Sequence, residues 1–154
     1  MDLDFEYFNQ KKEKARKLFF SQKSIFNPYF RCEIILNSDG FHHLQFSARK
    51  ERNKNEQLLK FNLLSLAFKV VKNSGTLQEY RKSFVVIGDI GKDGLRKTKN
   101  VEYWAFIAIV GENNIKIKVI LRKIGDGNIV FWSVMPYSKL KGGQKIYTNG
   151  IEYE

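Results

Sequence analysis

The sequence has very little cysteine, since Cys32 is the only one in 154 residues. The chain therefore cannot form an internal disulfide, and its fold does not depend on an oxidising compartment. A single thiol also excludes every zinc pattern that is built from several cysteines. Because Cys32 begins a predicted strand, we interpret it as a small, buried hydrophobic residue.

Long apolar runs are absent as well. No stretch approaches the roughly 18 apolar residues that span a membrane. The first residues include Asp2, Asp4 and Glu6 and have no apolar run behind them, which is untypical of a secretory signal or a transit peptide. We expect a cytoplasmic protein that does not interact with membranes.

Several catalytic motifs are missing from the sequence. It contains no GxxxxGK[ST], no GxGxxG after a strand, no nucleophile elbow and no paired-carboxylate motif. Nucleotide hydrolysis, hydride transfer and serine esterase chemistry therefore have no support, and we predict no cofactor. The adjacent His42 and His43 are a poor metal site, because no Cys, Asp or Glu has the usual spacing from them.

What the sequence has in excess is positive charge. Lys and Arg total 27 against 16 Asp and Glu, which gives a formal net charge of +11. Such an excess favours a polyanionic partner, with RNA as the leading candidate. Hydrophobic residues make up 43% of the chain and include thirteen Phe. This apolar content and the length predict one folded domain over residues 1–154.

The hydrophobic pattern predicts an α+β fold in which helices precede an antiparallel β-meander. Apolar residues at helical spacing predict a basic helix over residues 4–22 and a buried helix over 54–73, which starts at the capping motif Asn53-x-x-Glu56. Thr76-x-x-Glu79 repeats that motif and predicts a short helical turn. The other predicted segments are strands at 29–36, 41–47, 101–110, 115–124 and 128–135, a mobile basic loop at 88–100, a core over 29–137 and a basic tail over 138–154.

The two histidines lie in the second of these strands. Asn37-Ser38-Asp39-Gly40 has turn chemistry, so the sequence predicts a hairpin of residues 29–36 and 41–47. Strand alternation then places His42 on the packed face and His43 on the exposed face. Because histidine titrates near neutral pH, we interpret His43 as the candidate proton-transfer group.

The strand over 115–124 carries a basic face. Alternation places Lys116, Lys118 and Arg122 on one side of the sheet, where they form either a solvated surface or a phosphate site. Arg122 is the stronger candidate for phosphate, because its planar fork suits bidentate binding. Trp132 and Ser133 are neighbours on the next strand and are expected to point to opposite faces. The register that decides which of them Arg122 meets stays open.

On these residues the sequence resembles the superfamily of small nucleases that joins barnase, EndoU, the colicin ribonuclease domains and the RelE-type toxins, particularly its phage-associated branch. Phe41-His42-His43-Leu44 and the hairpin from residues 118–123 to 131–134 carry the resemblance, which covers roughly residues 41–137. It implies helices before an antiparallel meander and a metal-independent endoribonuclease, in which the RNA 2′-hydroxyl attacks its own phosphate. It also implies tRNA or mRNA as substrate and a cognate antitoxin or immunity protein as partner.

The resemblance also implies roles for individual residues. His43 would be the general acid or base, with His42 as its substitute, and Arg122 would stabilise the phosphorane. Ser133 would contact the phosphate or the nucleophile. The residues that would hold the RNA are Lys97, Lys99, Lys116, Lys118, Lys123 and Trp132.

Other readings of the same residues stay open. The sequence shows no acidic residue of the kind that barnase uses, so a second histidine or a lysine completes the proton transfer or the enzyme is inactive. In the inactive case the chain is an RNA- or DNA-binding module that stacks bases on Tyr103, Trp104 and Trp132. A third alternative is an interaction protein that binds an acidic partner.

Overall fold

The computed structural model describes residues 4–47, 50–87, 90–95, 97–137 and 151–154. Its elements are α1 (Phe5–Gln22), β1 (Ser24–Asn27), β2 (Cys32–Ile35), α2 (Ser38–Gln45), β3 (Phe46–Ser47), β4 (Lys50–Glu51), α3 (Lys54–Asn73), β5 (Glu79–Ile87), β6 (Lys97–Val110), β7 (Ile115–Ile124), β8 (Val130–Pro136) and a 3-10 turn, Ile151–Tyr153. Most of the predicted basic tail, residues 138–150, lies outside the described residues. None of the described helices is long and apolar enough to cross a membrane.

The main sheet has six strands in the order β1-β2-β8-β7-β6-β5. The last four strands form an antiparallel meander, which confirms the predicted α+β fold. β1 and β2 form a separate hairpin. β2 joins the meander in parallel beside β8, where Ile35 pairs with Val130.

The two long helices form where the sequence predicts them, and each begins at a side-chain cap. Asp4 accepts from the backbone of Glu6 at 2.9 Å, and Asn53 accepts from that of Glu56 at 2.7 Å. Both helices pack on one face of the sheet, which we call the first face. The core between the helices and this face includes Phe19, Leu64, Phe106, Leu121 and Phe131, all at 0% exposure.

The opposite face of the sheet, the second face, has its own smaller apolar cluster. Val101, Tyr103, Ala105 and Ile120 are buried there together with Ile151 from the 3-10 turn. The second face is therefore covered in part by residues 151–154 and is not a fully solvated surface.

Residues 38–45 are a helix, α2, so the predicted hairpin of residues 29–36 and 41–47 is wrong. Asn37 accepts from the backbone of Gly40 at 2.9 Å and caps the helix, where we expected it to open a turn. Gly40 is required because a Cβ there would overlap the Phe131 carbonyl oxygen of β8. The glycine lets the two backbones meet, and β2 pairs instead with β1 and β8.

Four smaller predictions were also wrong. Residues 76–78 are not helical, and β5 begins at Glu79. β6 begins at Lys97, so the connection after β5 is shorter than the predicted loop and Lys99 lies on a strand. Cys32 is exposed at the start of β2. Tyr103 and Trp104 are 6% and 8% exposed, so neither offers a free ring for base stacking.

Candidate functional site

Helix α2 exchanges the expected positions of the two histidines. His42 is exposed and stacks on Phe46, with 4.4 Å between ring centroids. His43 is only 9% exposed and stacks on Trp132 at 4.0 Å, with 16° between the ring planes. Our assignment of His43 to the solvent-facing side was wrong, because neighbouring residues on a helix are separated by about 100° and do not alternate between two faces.

The hydrogen bonds of His43 fix its protonation. Arg52 Nη2 lies 3.2 Å from His43 Nε2, and an arginine can only donate, so Nε2 is the acceptor and the ring proton is on Nδ1. Burial lowers the pKa of His43 to about 3, and the charges of Arg52, Lys60 and Arg122 contribute to the decrease. At neutral pH His43 is therefore an uncharged ring that supports Trp132.

Trp132 lies at an irregularity in the pairing of β7 and β8. Ile120 pairs with Ser133 while Leu121 pairs with Phe131, so Trp132 is an extra residue between two pairs. Trp132 packs against the apolar cluster of the second face, and Ser133 pairs with Ile120 of that cluster. The bulge thus places Trp132 and Ser133 on the same face, which corrects the expectation that they point apart.

Arg122 completes a three-layer stack on the second face. Its guanidinium carbon lies 4.1 Å from the centroid of the Trp132 ring. Because His43 occupies one face of that ring, Arg122 lies on the other. A guanidinium stacked in this way is held in position by a cation–π interaction. Both faces of Trp132 are occupied, so the ring supports Arg122 and is not free to stack on a base.

Within the part of the chain that the structure describes, Arg122 differs from the other enclosed cations because no carboxylate pairs with it. Within the described residues, Arg52 pairs with Glu56 at 2.9 Å, Lys60 with Glu154 at 2.6 Å and Lys118 with Glu79 at 2.6 Å. No carboxylate within the described residues lies within 4.0 Å of the Arg122 guanidinium, and its buried Nε has no hydrogen-bond acceptor. Because Nε is enclosed, the terminal nitrogens of this arginine are the groups available to an anion from outside the chain.

The Arg122 side chain lines a cleft of about 150 Å³ between α2 and the turn that joins β7 to β8. We call this the Arg122 cleft. Its lining residues are Asn37, Asp39, Arg122, Ile124, Gly127, Asn128, Val130 and Trp132. Asp39 and Asn37 come from the cap and first turn of α2. The cleft therefore combines a cation with amide and carboxylate groups.

Ser133 lies on the same face but is enclosed. Its exposure is 0%, and its hydroxyl accepts from Lys60 Nζ at 3.0 Å and donates to Glu154 Oε1 at 3.2 Å. In this arrangement the side chain cannot reach a phosphate in the Arg122 cleft. Burial lowers the pKa of Lys60, while its contact with Glu154 opposes the shift.

Among the predicted RNA-holding lysines whose side chains are described, Lys116 and Lys118 lie beside one another, each with its Nζ 4.9 Å from the centroid of the Tyr137 ring, and Lys99 and Lys123 lie elsewhere. Lys116 and Lys99 are exposed at different ends of the second face, whereas Lys118 is buried in its pair with Glu79. Lys123 is half-buried and lies on the first face, because it is two residues from Leu121 on the same strand. Lys97 begins β6, and its side chain lies outside the described residues.

Sequence reasoning missed Arg52, Lys60 and Asp39. Lys60 shares a helical stripe with Gln57 and Leu64, so a polar pair on the buried side of α3 was the available signal. Asp39 follows the cap of α2, and we interpreted that cap as a hairpin turn. No pattern in the sequence places Arg52 beside His43.

Within the described residues no cluster of three or more His, Cys, Asp or Glu side chains has the geometry of a metal site. Comparisons of the chain with protein-family models, with curated proteins and with solved structures found no match.

Proposed function

We propose that this chain binds RNA and that the Arg122 cleft holds one phosphate of the strand. The observation that carries the proposal is the free guanidinium of Arg122, which is stacked on Trp132 and has no carboxylate partner within the described residues. The fork has donors for two phosphate oxygens, and the stack keeps it pointed at the cleft.

Two further features support a nucleic acid as the source of that phosphate. The net charge of +11 attracts a polyanion over the whole surface and speeds its association. Lys99 and Arg81 are exposed on strands of the same sheet and lengthen the positive surface beyond the cleft. Electrostatic contacts of this kind provide most of the affinity for a strand without reading its sequence.

RNA is favoured over DNA by the groups beside Arg122. Asn37, Asp39 and Asn128 line the cleft and include both donors and acceptors. A ribose 2′-hydroxyl both donates and accepts, and it is the group by which a protein distinguishes RNA from DNA. We expect a single-stranded RNA to bind more tightly than the DNA of the same sequence.

The test compares the wild-type chain with Arg122→Lys in binding to a labelled single-stranded RNA. The substitution keeps the charge but removes the planar fork, so we expect affinity to fall about tenfold. The slope of log affinity against log salt is set by the number of phosphates neutralised, about 0.7 per contact, and should not change. Fluorescence anisotropy over a range of salt concentrations measures both quantities.

Arg16→Lys is the matched control, because Arg16 is exposed on α1 and makes only a loose pair with Glu13. It should bind RNA as the wild type does. Equal affinities for wild type and Arg122→Lys, at equal melting temperature, would remove Arg122 from the interface. An affinity that does not depend on salt would contradict nucleic-acid binding altogether.

RNA cleavage is a second proposal, in keeping with the metal-independent endoribonuclease that the resemblance implies. The observation that favours it is the position of Asp39 and His42, which lie three residues apart on α2 and are both exposed. Residues at this spacing share one face of a helix, and Asp39 also lines the Arg122 cleft. A carboxylate and an imidazole near a phosphate-binding arginine can move the protons of a 2′-hydroxyl attack.

Incubation of the protein with RNA in EDTA, followed by analysis of product ends, tests this second proposal. Cyclic phosphate ends are expected, and His42→Ala and Asp39→Asn should each slow cleavage by about 100-fold while RNA binding persists. Arg16→Lys is again the control, because Arg16 is exposed on α1 and does not line the Arg122 cleft. Intact RNA after long incubation would leave binding as the function, and cleavage that both variants retain would exclude the α2 pair.

A further inference from the structure

Glu154 lies in an enclosed, positively charged pocket formed by α3, β8 and β3. Its carboxylate Oε1 accepts from Lys60 Nζ at 2.6 Å and from Ser133 Oγ at 3.2 Å, and it lies 3.4 Å from Arg52 Nη1. Its main-chain oxygen accepts from Arg52 Nη2 and from Ser47 Oγ, both at 2.9 Å. Five contacts from four side chains thus converge on one residue.

The cations of this pocket are fixed independently of Glu154. Lys60 also donates to the Val134 carbonyl at 2.9 Å, on the β8 edge. Arg52 donates from Nε to the His43 carbonyl at 3.0 Å, and from Nη1 to Glu56 at 2.9 Å. These contacts to α2, α3 and β8 do not involve Glu154, and they hold the donors in the way that a preorganised binding site requires.

The charge balance of the pocket shows that it needs an anion. Lys60 is 2% exposed and Arg52 is 7% exposed. Glu56 faces solvent more than either cation, so Glu154 supplies the only enclosed carboxylate within the described residues that contacts Lys60. Buried cations that lose such a partner are strongly destabilising. The pocket must then take up another anion, take up water or open.

We propose that the pocket of Arg52, Lys60, Ser47 and Ser133 is a binding site for a small oxyanion, carboxylate or phosphate, which Glu154 occupies from within the chain. Residues 151–154 act as an internal ligand. An oxyanion from solution and Glu154 exclude each other, since both need the Lys60 ammonium group and the Ser133 hydroxyl.

Chemical rescue of Glu154→Ala tests the proposal. Removal of the carboxylate should lower the melting temperature by about 5–15 °C, because two enclosed cations lose a partner. Acetate or inorganic phosphate at tens of millimolar should recover about half of that loss or more in this variant and leave the wild type unchanged. The relative potency of acetate and phosphate identifies the anion that the pocket prefers.

Two further proteins keep the test decisive. Lys60→Met combined with Glu154→Ala should show no recovery, because the principal donor is gone. Glu154→Gln keeps the side-chain volume and so keeps the pocket filled, and calorimetric titration with inorganic phosphate should detect one site in Glu154→Ala and none in Glu154→Gln or the wild type. Equal responses of wild type, single variant and double variant to either anion would overturn the proposal. Since the experiment contains no RNA, its outcome does not depend on the proposed function.

Discussion

At the scale of single residues, His43 shows how the site controls the charge of an imidazole. Burial, and then the positive charges of Arg52, Lys60 and Arg122, lower the pKa of the ring. Arg52 uses the ring as an acceptor, so protonation would break that hydrogen bond and place two cations in contact. The neutral form of His43 is therefore part of the folded structure.

This arrangement predicts a stability that decreases in acid. The folded-state pKa of about 3 lies below the ordinary value of 6.5, so between these values the unfolded chain binds more protons than the folded chain. The free energy of unfolding must then fall as the pH drops through this window. Between pH 7 and pH 5 the loss from His43 amounts to about 2 kcal/mol.

Denaturant titrations of the wild type and His43→Gln at both pH values measure this contribution. A glutamine amide can still accept from Arg52 but does not titrate, so the variant should lose about 2 kcal/mol less on acidification. The other ionisable groups are present in both proteins, and their effects cancel in the comparison. Parallel pH profiles would mean that His43 is charged or accessible in the fold.

At the scale of elements, α2 determines where the site forms. The helix carries Asp39 into the Arg122 cleft and His43 onto Trp132, and Gly40 brings it against β8. The sequence of α2 is short and contains Asp-Gly, which is a strong hairpin signal in isolation. A tertiary contact, the close approach of Gly40 to Phe131, overrides that local preference.

Gly40→Ala should therefore destabilise the protein although alanine is the better helix former. The added Cβ would overlap the backbone oxygen of Phe131, and neither backbone can move without shifting α2 or β8. We expect a net loss of about 1–3 kcal/mol in the free energy of unfolding, measured by denaturant titration. Trp132 fluorescence should change as well if α2 shifts and the His43 stack loosens.

Gly75→Ala is the matched control, because a Cβ at that position meets no atom within 4 Å. Its effect should be neutral or slightly stabilising, through a less flexible unfolded chain. If the two alanine variants are equally stable, the contact between Gly40 and Phe131 does not constrain the fold.

At the scale of the whole molecule, the long segments with regular hydrophobic spacing predicted the structure best. The long helices and the three-strand meander follow from hydrophobic periodicity over ten or more residues, so local sequence determines them. The site was predicted only in part, since Arg122 and Trp132 were identified but their relation was not. That relation depends on a bulge and on the partners Arg52, Lys60 and Glu154, which are far apart in the sequence.

The parallel contact of β2 with β8 has a consequence for how the chain folds. The antiparallel meander joins strands that follow one another closely in the sequence, so closing its loops costs little chain entropy. Ile35 and Val130 are separated by most of the chain, and closing so long a loop costs about 4 kcal/mol of chain entropy unless intervening structure has already formed. The hairpin of β1 and β2 therefore docks at the lowest cost in chain entropy when it docks last, onto a sheet edge that the meander and α3 have already formed.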